Sequence, residues 1–306
     1  MPIGFDRFDV GFVSDGMRCA AWFYMPSGHA TVKRVPVIVM AHGLAGIRAA
    51  RLDAFAERFA ALGYACLVFD YRCFGGSEGE PRCFVDIQNQ LADWSSAVSY
   101  ARTLPGVDPE QVVLWGTSLA GGHVIKTASH DRRIAAVILQ CPFTDGIASS
   151  IRTRPLVALR LVYRGLRDQW TARSGGEPVR VPVAARPGAV GLLTAEDTAA
   201  GYHRIFEAAG IFEPELDVPA RIALRIPLYR PGVHLREVHC PALVCVSRND
   251  TATPAWATLR HLRGAPQAEI LLYDMGHFDF YVGPGFETCV VDQIAFLQAK
   301  VPLNGS

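Results

Sequence analysis

The sequence predicts an α/β fold with a mostly parallel central sheet, helices on both of its faces and one inserted helical segment. Three observations point there. Short, continuously apolar runs alternate with amphipathic stretches at helical spacing, the pattern of strands buried on both faces between crossover helices. That rhythm stops after Pro142 and resumes at Pro241. The apolar run at 112–115 leads directly into Gly116-Thr117-Ser118-Leu119-Ala120, a turn of small residues that opens a helix.

The elements follow in order. Residues 5–27, FDRFDVGFVSDGMRCAAWFYMPS, read as two strands around the Ser14-Asp15-Gly16 turn, an antiparallel hairpin. The run VPVIVMA at 35–41 is the first parallel strand, followed by a helix over 48–62 and the strand YACLVFD at 64–70. A helix over 85–103 precedes the strand QVVLW at 111–115; the segment after Ser118 is helical to about His130, and IAAVILQCP at 134–142 is the next strand. Residues 143–237 then hold expected helices over 148–163, 195–209 and 220–228, with the Gly/Pro-rich stretch SGGEPVRVPVAARPG among them. They read as a cap inserted into a core made of 1–142 and 238–306. Alternation resumes with PALVCVS at 241–247, a helix over 254–263, the strand AEILLYD at 268–274 and a final helix over 286–300. There is no internal repeat.

Composition narrows the function. With 306 residues, 50% hydrophobic and 19% charged, the chain can bury a sizeable core. A net charge of +1 provides no broad basic surface, so nucleic acid is not an expected partner and the arginines of 152–164 read as helix faces. No apolar run approaches the roughly 18 to 20 residues of a bilayer span, and MPIGFDRFDVGF has early acidic residues and no apolar leader core. The expectation is a cytoplasmic protein without integral membrane association. Its 8 cysteines form no C-x-x-C pair and are expected to be reduced, mostly buried small hydrophobes.

Ser118 stands at a strand-to-helix junction with Gly116 before it and Ala120 after it, nearly the G-x-S-x-G turn that holds a nucleophile above a sheet. Small residues are needed because a side chain there would crowd the neighbouring strand or helix. Taken alone, the turn equally suits a helix-capping serine. A serine hydroxyl becomes a nucleophile only when a base takes its proton, so a histidine held by an acid must exist elsewhere. SRNDTATP places Asp250 beyond the penultimate strand and YDMGHFDF places His277 beyond the last, at the carboxyl ends where catalytic groups collect. Asp145 in CPFTD is the alternative acid, and Asp250 could instead cap the next helix. An oxyanion needs preorganised donors, each worth about 2.7 to 4 kcal/mol of barrier. The backbone N–H groups of Leu44, in AHGLAG, and Leu119 are the candidates. No H-E-x-x-H is present, and the glycines at 43 and 46 or at 75, 76 and 79 do not make G-x-G-x-x-G. Neither a metal nor a cofactor is therefore expected.

The stretches VMAHGLAG, VFDYRCFGGSEGEPR, LWGTSLAGG, CPFTD and DMGHFDFYVGPGFE resemble the α/β-hydrolases, in particular their dienelactone hydrolase-like and polyketide transferase or thiohydrolase-like branch. The resemblance covers nearly the whole chain outside the cap. It implies cofactor-free hydrolysis or transfer of an acyl group, with Ser118 as nucleophile, His277 as base, Asp250 as orienting acid, and Leu44 and Leu119 as oxyanion donors. Ala120 and Cys73 stand where related sequences often carry glycine. Asp70 and Arg72 are read as a structural ion pair, Trp115 as core, and His42, His123, His130 and His239 as structural. Phe278, Phe280 and Tyr281 could line an acyl pocket or pack a helix entry. The expected partner is a small ester or thioester; a catalytically silent binding protein of the same fold is the alternative, and the apolar cap helices leave a homodimer open.

Overall fold

The computed structural model describes residues 3–27, 34–265 and 267–303. The chain opens with β1 (Phe5–Ser14) and β2 (Met17–Pro26), antiparallel across a two-residue turn in which Asp15 and Gly16 both have positive φ, as a tight hairpin of this twist requires. β3 (Val35–Ala41) is buried at every position and leads through α1 (Leu52–Ala60) to the equally buried β4 (Ala65–Phe69). Helix α1 starts later than the sequence pattern predicts. Arg51 holds φ 73°, and the Arg48 N–H is tied to Asp70 Oδ1 at 2.6 Å, so 48–51 is pinned to the end of β4 instead of winding into the helix. α2 (Ile87–Ala101) begins where the Asp86 carboxylate accepts from the N–H groups of Gln88 and Asn89. β5 (Val107–Thr117), α3 (Leu119–His130) and β6 (Ile134–Gln140) complete this half.

The chain then leaves the sheet. α4 (Gly146–Ser150) and α5 (Pro155–Arg173) replace the single helix expected over 148–163. Pro155 is the cause: it suits a first helical position but drives the residue before it out of the helical region, and Arg154 is extended at φ −58°, ψ 139°. β7 (Arg180–Pro182), α6 (Thr198–Ala208) and β8 (Asp217–Pro219) follow, with β7 and β8 paired antiparallel. The helix expected over 220–228 is two short 3-10 turns, Ala220–Leu224 and Ile226–Leu228, and a third spans Pro231–Glu237. Pro227 and Pro231 lack the N–H that an α-helix needs there. The fully buried Asp168 joins the parts: its carboxylate accepts from the N–H groups of Val179 and Arg221 and pairs with the Arg221 guanidinium at 2.6 Å. The chain returns with β9 (Ala242–Ser247), α7 (Ala255–Leu262), β10 (Ala268–Tyr273) and α8 (Gly283–Lys300).

The 8-stranded sheet has the order β1-β2-β4-β3-β5-β6-β9-β10. β2 pairs antiparallel with β1 and β4; the pairs from β4 through β10 are parallel. Met40 is level with both Val68 and Trp115, and Ala41 with both Phe69 and Gly116, so Trp115 and Phe69 point to opposite faces. On Trp115's face, Phe55 of α1 packs against Trp115 and against Phe286 of α8. On the other, Trp94 of α2 meets Phe69 edge-on. Sequence order reverses direction at β3, which has β4 on one side and β5 on the other. Ligands of open α/β sheets gather at such a switch point, beyond the carboxyl ends of the strands. Among the described residues no helix is long and apolar enough to cross a membrane.

Candidate active site

Ser118 lies at that reversal, between β5 and α3, with φ 54° and ψ −120°. A non-glycine residue in this region is strained by roughly 1 to 3 kcal/mol and stays there only when its surroundings hold it. They do so through main-chain bonds: the Ser118 N–H donates to the Gln140 carbonyl at 2.9 Å, and the Ser118 carbonyl accepts from Phe143 at 2.8 Å and Gly121 at 3.0 Å. Although Ser118 is the residue before α3, its hydroxyl makes no capping bond to the helix. A Cβ at Gly116 would sit 2.5 Å from the Ala120 carbonyl oxygen, so glycine is obligatory before the turn, whereas Ala120 fits fully buried. At Gly43 a Cβ would lie 2.9 Å from that of Ser118. The absent side chain lets the loop after β3 close on the serine and brings Leu44 beside it.

His277 and Asp250 come from the loops after β10 and β9. His277 Nδ1 is 2.7 Å from Asp250 Oδ2, and both side chains are almost fully buried. The carboxylate is saturated otherwise: Oδ1 accepts from the Ala252 N–H at 2.8 Å and the Thr253 N–H at 2.5 Å, and Oδ2 from the Thr253 hydroxyl at 2.8 Å. Burial alone would lower the His277 pKa, but the facing Asp250 carboxylate, aided by Cys141, outweighs it and holds the imidazole well above its ordinary 6.5. Asp145 is engaged elsewhere, capping α4 and meeting Arg230 and His261.

Ser118 and His277 line one cavity of about 40 Å³, with Leu44, Tyr202, Phe206 and Phe278 among its walls. Ser118 also borders a second, of about 60 Å³, walled by Leu119, Phe143, Leu192, Leu193, Ile226 and the hydroxyl-bearing Ser149, Ser150 and Thr153. Leu44 is common to both. Leu119 is the first residue of α3, so its N–H has no acceptor within the helix. The Leu44 carbonyl accepts from the Tyr202 hydroxyl of α6 at 2.8 Å, a tether the sequence did not disclose.

Several residues sit differently from expectation. Asp70 and Arg72 are ion-paired, but not to each other: Asp70 meets Arg48 at 2.6 Å, and Arg72 meets Asp93 at 2.7 Å. His42 is buried against the first cavity, its Nδ1 donating to the Gly43 carbonyl at 2.9 Å, and burial lowers its pKa. Since a carbonyl only accepts, His42 Nδ1 carries the proton. His123 lies between Tyr229 and Gln90, and burial lowers it to about 3. Phe278 and Tyr281 line the first cavity while Phe280 is packed away in the core. Trp115 is core, with Nε1 donating to Gln293 at 2.9 Å. The 8 cysteines are free, and all but Cys240 are buried. Cys141 is the residue that composition could not single out: its sulfur lies within 4.8 Å of the facing atoms of Asp250 and His277. Three metal-ligating side chains thus converge, yet His277 Nδ1 and the Asp250 oxygens are already joined to one another and to Thr253.

Residues 15–279 match the family model of X-Pro dipeptidyl-peptidase (S15 family). The chain is 48% identical over 296 residues to a quorum-quenching protein, AidA, of Acinetobacter baumannii, covering 97% of this chain and 96% of that one. It is 26% identical to the thiohydrolase aneE of Aspergillus aculeatus, covering 95% and 92% of the two chains. The crystal structure of the α/β-hydrolase GrgF from a Penicillium species superposes with a TM-score of 0.81 at 24% identity, covering 96% of this chain and 99% of that one, and shows the same fold.

Proposed function

This chain belongs to the X-Pro dipeptidyl-peptidase (S15) family of α/β-hydrolases, and from that premise we propose that it is a serine hydrolase of esters or thioesters with a moderately hydrophobic acyl group. The observation that carries the reading is the buried Asp250–His277 pair opening onto the same cavity as a strained Ser118. Ser118 attacks the carbonyl carbon while neutral His277 takes the hydroxyl proton at Nε2, Nδ1 being held by Asp250. The oxyanion is met by the N–H groups of Leu44 and Leu119. His277 then returns its proton to the departing oxygen or sulfur, leaving an acyl-serine that water resolves.

Because the departing atom must take its proton from His277, the leaving group belongs in the cavity that His277 lines and the acyl chain in the one behind Leu119. Both are far below the roughly 300 Å³ of a typical small-ligand site. The segment 143–237 acts as a cap that must shift to admit substrate. The site is expected to work without cofactor or metal, in the cytoplasm.

Quorum quenching, for which the 48% identical relative is named, brings quorum signals carrying an ester or thioester into the range worth assaying. Relatives named polyketide transferases favour a second reading, in which an alcohol or amine rather than water takes the acyl group. A fluorophosphonate probe should label the wild type and not Ser118→Ala. Turnover of p-nitrophenyl esters or acyl thioesters without an added acceptor supports hydrolysis; a requirement for an acceptor supports transfer. An unlabelled wild type points to the silent binding protein, and cleavage of an X-Pro anilide alone would replace the ester reading with a peptidase.

A further inference from the structure

Helix α5 has two unlike sides. Across its 19 residues it buries Val157, Leu161, Gly165 and Asp168. On the opposite side Leu156, Leu159, Tyr163, Leu166 and Trp170 recur at alternating spacings of three and four, each between 54% and 72% exposed. That spacing keeps one stripe in line along a helix and is the seam of helix-to-helix association. Contiguous apolar patches of this size are uncommon on a chain that stays alone in water.

We propose that α5 is the interface of a homodimer, its apolar stripe seated on the same stripe of a second copy about a two-fold axis. The size is right. The five residues and neighbouring Val162 expose on the order of 700 Å², and the stems of Arg160 and Arg167 on the same arc bring this near the ~800 Å² that each partner contributes to a standard interface. So is the composition, with Trp, Tyr, Leu and Arg and no lysine or glutamate on the helix. The single acidic group of α5, Asp168, is buried on Arg221. Arg160 and Arg167 edge the stripe, where solvent screens them at the interface rim. The stripe begins at Leu156, three residues after Thr153 of the second cavity. The dimer is independent of the reaction proposed above.

Sedimentation velocity tests this on the whole chain, between about 1 and 100 µM. The expected result is a wild-type dimer that tightens as salt rises toward about 0.5 M, since the facing arginines repel. Leu159→Glu with Tyr163→Glu should raise the dissociation constant at least ~100-fold, and the milder Trp170→Ala about 10-fold. Val291→Glu, a charge placed on exposed α8, should change nothing. Circular dichroism melting of each variant establishes that it is folded. A wild type that stays monomeric throughout overturns the proposal, as does a dimer indifferent to the stripe substitutions. So does a monomer that co-sediments with phosphatidylserine vesicles and is released by salt, which would assign the stripe to lipid.

Discussion

The β5–α3 junction and the segment between β6 and β9 hold their shapes by different means. At the junction almost everything is backbone: a parallel ladder, a glycine where a Cβ would strike the Ala120 carbonyl, and three main-chain bonds that fix Ser118 at φ 54°. In the segment, short turns are stitched by single side chains, such as Asp168 reaching the main chain of 179 and 221, and Tyr202 reaching the Leu44 carbonyl. Backbone-built geometry resists substitution unless a side chain collides with it. Side-chain-built geometry rests on a few replaceable atoms.

The contrast can be broken or sharpened by four substitutions. Ser118→Ala should have the largest effect, lowering kcat by on the order of 10⁶-fold while leaving the fold intact, checked by steady-state kinetics beside a melting curve. Retained turnover would remove the junction from the chemistry.

Asp250→Asn should lower kcat by roughly 10⁴-fold, because the imidazole loses its orienting acceptor. It also tests the electrostatics. With the His277 pKa raised well above 6.5, protonated His277 cannot accept from Ser118, so kcat/KM of the wild type should fall as pH drops through a value above that of free histidine. Losing the carboxylate should move this limb to lower pH. In stability the sign is opposite: a raised folded pKa adds stability that is fully present below about pH 6.5 and fades as pH rises through the folded value.

In the inserted segment, Asp168→Ala should cost about 3 to 5 kcal/mol by stranding Arg221 and two backbone N–H groups, read by urea unfolding. Proteolysis should then begin in 143–237 and spare the sheet. Tyr202→Phe should have the smallest effect. Losing one hydrogen bond to the Leu44 carbonyl costs about 1 kcal/mol, so a several-fold loss in kcat/KM with fluorophosphonate labelling retained is the expected outcome. An unchanged rate would show that the loop after β3 holds its place unaided.

How far the site was legible follows the same division. Ser118, Asp250 and His277 were readable because each stands just past an apolar strand, and parallel strands bring their carboxyl ends together whatever the intervening chain does. Gly43 and Gly116 were legible as small residues at turns. Cys141 gave no sign, since a lone cysteine at the end of a strand reads as another buried hydrophobe. Arg48 and Asp93 as partners of Asp70 and Arg72 were equally hidden, because ion pairs 22 and 21 residues apart in the chain leave no local spacing.

From sequence alone came the parallel sheet, the place where its rhythm breaks, and the order in which Ser118, Asp250 and His277 occur, because these are written in continuously apolar runs, in the 3.6 period of the helices between them and in glycine at obligatory turns. Only the tertiary structure decided how the segment 143–237 breaks into α5 and 3-10 turns, which carboxylate meets His277, and that two small cavities share Ser118. Those outcomes depend on contacts between residues distant in the chain, whose energies no local pattern records.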